Sequence, residues 1–375
     1  MELALSEEGA RRVRVQAQLL DGRSTTRRNV AAVVSQIVGV QAQDVTAAEL
    51  SIRARTRGLI RDDIYQTLTD TRSLVLTWSL RGTRHFHHAD DVRWLLALLG
   101  PVFGRPGRRS QQLGIAGDVG DNAVRVISAA LKSHGSLTRR EVKDLLARHG
   151  VDSSGQAPIH VLHRAAFEGV LCIVPDPDGE ERYVSLDDWV PQTSPVPPDG
   201  AAAELARRFL TAYGPATLAD FAAWSGLRAV TTKQAWTAIS GELSDVALPT
   251  GSAWVLTSRR KVIGAAANHP MPVRLVGAFD ALLLGYADRS LHVLPEHARD
   301  VNAGGGLIRP VVLVDGKVVA TWKYQSTRSS HRVEIAPFGA LTADERAGLE
   351  YEVRDIGRFL GTAPRLMLNA RQTAS

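Results

Sequence analysis

Gly135-Ser136-Leu137-Thr138 and Gly214-Pro215-Ala216-Thr217 stand at a constant offset of 79 residues. Each leads into a helical run, over 139–148 and 218–225, in which Val142 and Leu145 of the first copy align with Phe221 and Trp224 of the second. This is an internal repeat of a helix-turn-helix, degenerate but in register. Around the first copy, 121–132 and 158–169 read as further helices. Strands 170–174 and 181–185 then form a hairpin around Asp176-Pro177-Asp178-Gly179. Around the second copy, 201–213 and 231–240 are helical, and strands 243–248 and 253–257 supply the equivalent hairpin. A run of Pro191, Pro195, Pro197, Pro198 and Gly200 separates the two copies as a linker.

The first third has the same order. The helices expected there cover 11–20, a run capped by Asn29 with Val30, Val33, Val34, Ile37 and Val38, then 46–57 and 61–68. Strands 73–78 and 83–87 follow, joined around Arg81-Gly82. A helix over 89–99 is expected to stop at Gly100-Pro101. After Val273 the chain turns to strands: 273–276, 281–284, 307–308, 311–314, 318–322 and the alternation His331, Val333, Ile335. Asp315-Gly316 between apolar runs marks a hairpin, and 344–360 closes the chain as a helix. The reading is an α+β chain: three tandem winged helix-turn-helix units at 1–115, 116–195 and 196–270, then a small antiparallel β domain with a C-terminal helix at 271–375.

Composition limits what such a chain does. Among 375 residues, apolar types make up 44% and charged types 22%, the balance of a soluble globular protein. No run reaches the roughly 18 apolar residues of a membrane span, and the acidic N-terminus lacks the basic start of a signal peptide, so a cytoplasmic protein is expected. The single Cys172 excludes a disulfide framework and reads as a core thiol. Net charge is +6, and 39 of the 45 basic residues are Arg, which suits a polyanion partner. Yet the helix over 158–169 offers only Arg164 among Arg and Lys, and 231–240 only Lys233 and Gln234. These units do not read as three independent readers of the major groove.

Gln41-Ala42-Gln43 interrupts an apolar context after Gly39. In an extended segment residues two apart point the same way, so Gln41 and Gln43 would share one side, with Ala42 and Asp44 on the other. Gln16-Ala17-Gln18 has the same spacing but reads as helix surface. His85 and His87 would share a strand face, as a packed or phosphate-contacting wing, and no third metal ligand is spaced with them. Gly304-Gly305-Gly306 lacks the strand-to-helix setting of a phosphate loop and reads as a hairpin tip. Tyr286-Ala287-Asp288-Arg289 reads as either a turn or a ligand contact.

Four blocks together resemble the AlkZ-like DNA glycosylases. They are 38–43 (Val-Gly-Val-Gln-Ala-Gln), 80–85 (Leu-Arg-Gly-Thr-Arg-His), 279–289 around Asp280 and Asp288, and 314–322 ending in Trp322. The resemblance implies three winged-helix units and a β domain around a C-shaped basic groove. It implies excision of bulky N7-alkylated guanines, unhooking of interstrand crosslinks in some members, and self-resistance to a genotoxic antibiotic. The family's Gln-apolar-Gln catalytic motif falls on Gln41 and Gln43. Candidate DNA contacts are Arg81, Arg84, His85, Asp288, Arg289, Asn302, Gly304 and Gly305, with 302–307 as a probing hairpin. The expected partner is double-stranded DNA carrying alkylated guanine, bound by a monomer in the cytoplasm at the nucleoid, with neither cofactor nor metal. A non-enzymatic winged-helix regulator and a drug-sequestering protein are the competing readings.

The chemistry follows from the residues. N7-alkylation makes guanine cationic and already a good leaving group, so no acid need protonate it. A Gln amide is no general base near neutral pH. Its carbonyl can orient water and its NH₂ can bind phosphate or sugar.

Overall fold

Thr138 and Thr217 start their helices by one device. Each threonine hydroxyl accepts the backbone N–H three residues on, from Glu141 at 3.2 Å and Asp220 at 3.0 Å. Each of those carboxylates accepts the threonine's own N–H in return, at 2.7 and 2.9 Å. These reciprocal caps satisfy donors that a helix N-terminus leaves open. The computed structural model describes residues 3–22, 29–175, 180–190, 192, 196–327 and 330–369, so the turn expected at 176–179 and much of the proline linker lie outside it.

The chain opens with β1 (Leu3–Ala4) and α1 (Glu7–Ala17). The first unit follows as α2 (Val30–Gln36), β2 (Val40–Gln41), α3 (Val45–Ala54), α4 (Arg61–Thr69), β3 (Leu74–Trp78), β4 (Arg84–His88) and α5 (Ala89–Phe103). The second is α6 (Asp118–His134), β5 (Ser136–Thr138), α7 (Arg139–Arg148), α8 (Ala157–Phe167), β6 (Leu171–Pro175) and β7 (Glu181–Ser185). The third is α9 (Ala201–Tyr213), α10 (Leu218–Ser225), α11 (Ala229–Ala238), β8 (Leu243–Leu248), β9 (Gly251–Leu256) and α12 (Arg260–Ala267). Strands β10 (Arg274–Val276), β11 (Val311–Val314), β12 (Lys317–Ser326) and β13 (His331–Pro337) precede α13 (Ala343–Leu360) and β14 (Arg365–Leu368).

One pairing recurs in all three units. The segment before the second helix lies antiparallel to the later strand of the hairpin: Gln41 opposite His85, Leu137 opposite Tyr183, Ala216 opposite Trp254. Leu137 and Ala216 are the equivalent positions of the repeat. The hairpins are not separate, however. Leu76 of β3 pairs with Ile173 of β6, which joins two units in one sheet of order β2-β4-β3-β6-β7-β5. The third hairpin instead takes β1 as a parallel edge strand. Val13 of α1 shares a small core with Val246, Val255 and Ile263, so the start of the chain packs on the third unit. A larger continuous core runs through all three units and the C-terminal sheet.

Several expectations are corrected. α5 does not stop at Gly100-Pro101 but runs to Phe103. Gly100 is there for packing, since a Cβ would come 2.8 Å from the Phe167 carbonyl oxygen. The run 281–284 is a short helix, because the Asp280 carboxylate caps it by accepting the Leu282 N–H at 3.0 Å. Ile308 forms only a single bridge, to Asn302. The chain ends its described part in β14, parallel to β13, rather than in the helix. Gln18 is not on a helix surface. It is buried, donating to the Ala212 carbonyl and accepting from Arg55. Cys172 is a buried thiol whose pKa burial pushes up.

Candidate functional site

The Gln-Ala-Gln segment sits where the first unit departs from the other two. There the residue paired with the hairpin, Leu137 or Ala216, is followed directly by the helix cap. Here Gln41 is paired, but the cap is Asp44, so Ala42 and Gln43 are two extra residues between strand and helix. Ala42 stays in the ladder, donating its N–H to the Arg84 carbonyl at 2.7 Å, with its methyl fully buried.

Two left-handed residues aim the segment. Val38 has φ 60° and Gly39 φ 104°. A Cβ at Gly39 would lie 2.5 Å from His87 Cε1, so glycine is required on both counts. The Tyr213 hydroxyl of α9 donates to the Ile37 carbonyl at 3.2 Å. On the far side, a Cβ at Gly277 would lie 2.3 Å from the Ala47 carbonyl, so the C-terminal sheet abuts the first turn of α3. Arg55 of the α3 C-cap is fully buried against Asp280 at 2.8 Å and locks the same interface.

Both amides meet the β3–β4 connection. Gln41 is 8% exposed, and its Oε1 accepts from Arg81 Nη2 at 2.7 Å. Gln43 is exposed, and its Oε1 accepts the Arg84 N–H at 3.3 Å. Arg84 also donates to the Gln43 carbonyl at 3.2 Å and pairs with Glu181 of the second unit. Arg81 has φ 56° and donates to the carbonyl of Trp224 in the third unit. Burial, and then the nearby charge of Arg289, pull its pKa down, while the position of Tyr213 opposes them.

The remaining candidates divide. His85 is 2% exposed, stacked on His87 with centroids 5.6 Å apart, which supports the packed alternative. Burial first, then Arg81 and His87, hold it neutral. Arg289 donates to the Leu283 carbonyl and to Asn302 Oδ1 at 3.4 Å, at the root of the glycine turn. That turn is tight: Gly304, Gly305 and Gly306 all have positive φ, and Ala303 donates to the Leu307 carbonyl at 3.0 Å. Asp288 closes a turn onto Ser290. Among the described residues, Asp288, Gly304 and Gly305 make no hydrogen bond to the motif, and no three His, Cys, Asp or Glu converge as metal ligands. Sequence reading missed Glu49 of α3, a carboxyl 8% exposed whose pKa burial raises against the pull of Arg61, 2.8 Å away.

The family model described as DNA glycosylase AlkZ-like matches residues 34–359, and the chain belongs to that family of DNA glycosylases. Over 368 residues it is 30% identical to a Streptomyces sahachiroi protein named interstrand DNA cross-link repair glycosylase, covering 93% of this chain and 95% of that one. It is also similar to the solved structure of the Streptomyces sahachiroi DNA glycosylase AlkZ, with a TM-score of 0.81 and 27% identity, over 98% of this chain and all of the other.

Proposed function

We propose that the protein is a monofunctional DNA glycosylase that hydrolyses the N-glycosidic bond of bulky, cationic N7-alkylguanine adducts and unhooks interstrand crosslinks. Its role is repair and self-resistance to a genotoxic antibiotic. The three repeated units are winged helices that, with the C-terminal domain, hold damaged duplex against Gln41 and Gln43, the catalytic residues. The protein works as a monomer without cofactor or metal. Arg84, Arg289 and Asn302 contact the backbone of the DNA.

One observation carries this reading: two amides flank the β3–β4 connection, and the neighbouring carboxylates are engaged elsewhere. Asp44 caps α3 and Glu181 pairs with Arg84. A site of amides has no proton to give a neutral base, so it suits a base that leaves as a neutral molecule from a cationic adduct. Preorganised dipoles beside the sugar then stabilise oxocarbenium character and hold the attacking water. The name of the Streptomyces relative supports crosslinks as substrates.

The test is release of free base from matched duplexes. N7-alkylguanine should be excised, while uracil, hypoxanthine and 8-oxoguanine should remain. Efficient release of any of the neutral bases would show a general acid at the site and end this reading.

A further inference from the structure

Arg81 has only neutral partners. Its two donating nitrogens go to the Trp224 carbonyl and to Gln41 Oε1, and among the described residues no carboxylate pairs with it. It is a costly place for a cation, yet the backbone enforces it. Arg81 itself is left-handed at φ 56°, and Gly226 (φ 68°) lies so close that a Cβ there would come 3.1 Å from Arg81 Cγ. The side chain is therefore threaded between the first and third units toward a single functional target, the amide of Gln41.

That contact fixes which way the amide points. A guanidinium can only donate, so the atom of Gln41 facing it must be the carbonyl oxygen, and the NH₂ takes the other end. We propose that Arg81 is a positioning residue for the reaction: it holds the Gln41 carbonyl so that the amide meets the DNA NH₂-first, as a donor to a phosphate oxygen flanking the scissile bond, which leaves the oxocarbenium-facing contacts to Gln43. The role rests on the glycosylase reading above. It makes Gln41 a fixed donor rather than the group that accepts a proton-side contact from water, and it gives Arg81 an effect on rate without contact with DNA.

The experiment is a double-mutant cycle in single-turnover excision on a duplex carrying one N7-methylguanine. Arg81→Met keeps an unbranched chain and removes the donors. It should slow excision roughly tenfold in the wild-type background and less than about twofold further in a Gln41→Ala background, because the two act as one unit. Additive losses would overturn the proposal. So would a fall of about one in the slope of log affinity against log salt for Arg81→Met, which marks a phosphate contact. Arg81→Lys, retaining a donor, should recover part of the rate. If Arg81→Met does not fold, Gln41→Glu decides. It keeps an acceptor for Arg81 but loses the NH₂, and should be as slow as Gln41→Ala, whereas retained activity would mean the oxygen is the working end. A Gln41→Ala enzyme with full activity would instead remove the catalytic reading itself.

Discussion

The carboxylate of Asp44 accepts the Ala47 N–H at 3.0 Å. The one acid adjacent to the amide pair is thereby spent on starting α3, in the position that Thr138 and Thr217 occupy in the other two units.

On the proposed assignment the amides act on the transition state, so Gln41→Ala and Gln43→Ala should each slow single-turnover excision roughly tenfold or more, with DNA affinity nearly unchanged. Asn is as good a cap as Asp, so Asp44→Asn should leave both rate and stability close to wild type. Asp44→Ala should cost about 1 kcal/mol of stability through the lost cap. Excision rates and denaturant midpoints for the four variants check this. Loss of activity in Asp44→Asn with both Gln variants active would reverse the assignment.

Gly39 is the second handle on the motif. Gly39→Ala would put a Cβ against His87 Cε1 and force an L-residue to φ 104°. Strain of this kind costs on the order of 1–3 kcal/mol. The expected outcome is a lowered melting temperature together with slower excision, since β2 must shift and Gln41 with it. A variant equally stable and equally active would show that the segment tolerates displacement.

Much of this was legible in the sequence. The offset of 79 residues aligns Thr138 with Thr217, which the structure shows to be matching caps, and Asn29 reads as a cap that the structure places on Ala31. The strand pairing ahead of each repeated helix does not show in the sequence. Extended backbone at Gln41 followed from the break at Gly39. What escaped was tertiary. Nothing local says that β3 and β6 fuse two hairpins into one sheet through Leu76 and Ile173, or that α1 crosses to the third unit. Gly100 looked like a helix stop because glycine signals both termination and close approach, and only the neighbouring Phe167 distinguishes them. The apolar run 281–284 read as a strand because the capping role of Asp280 depends on its being buried against Arg55. The partners of Arg81 were equally hidden: its two acceptors lie 40 and 143 residues away in the chain.

Binding to undamaged duplex should weaken steeply with salt, because phosphate contacts release counterions. With net charge +6 and 39 Arg, sequence preference should be small beside this term. Affinities for several unrelated duplexes across a salt series measure both. A tight complex with one sequence that survives high salt would favour a regulator.

Acid should destabilise the fold through its buried imidazoles. Burial lowers the pKa of His87 to about 4 and that of His292 to about 3, with His85 also well below its usual value. The unfolded chain binds these protons near pH 6.5 and the folded chain does not. Stability is thus full above about pH 6.5 and lost as pH falls toward the folded values, by about 1.4 kcal/mol per pH unit for each such group. Denaturant midpoints at pH 7, 6 and 5 should fall accordingly. His292→Gln should flatten the slope. A midpoint constant from pH 7 to 5 would mean these imidazoles titrate normally in the folded chain.

The pH dependence of excision separates an amide site from an acid–base site. Glutamine does not titrate in the working range, so the single-turnover rate on an N7-alkylguanine duplex should be nearly flat over roughly pH 5.5–8.5. Glu49 is the group that would break this. Burial raises its pKa, and it lies on the helix that Asp44 starts. A general acid there would give a rate that falls as Glu49 ionises on raising pH, and a general base one that falls on lowering it. Its pairing with Arg61 at 2.8 Å points instead to a structural role. Glu49→Gln should then keep the same flat profile and nearly the same rate. The acid end must be read where the denaturant midpoints show the protein still folded, since histidine-driven unfolding would otherwise imitate a titrating base. A profile following one carboxyl titration, abolished by Glu49→Gln, would move the chemistry from the amides to Glu49. The same profile surviving that substitution would turn attention to Asp288, whose carboxylate is held in the turn with Ser290.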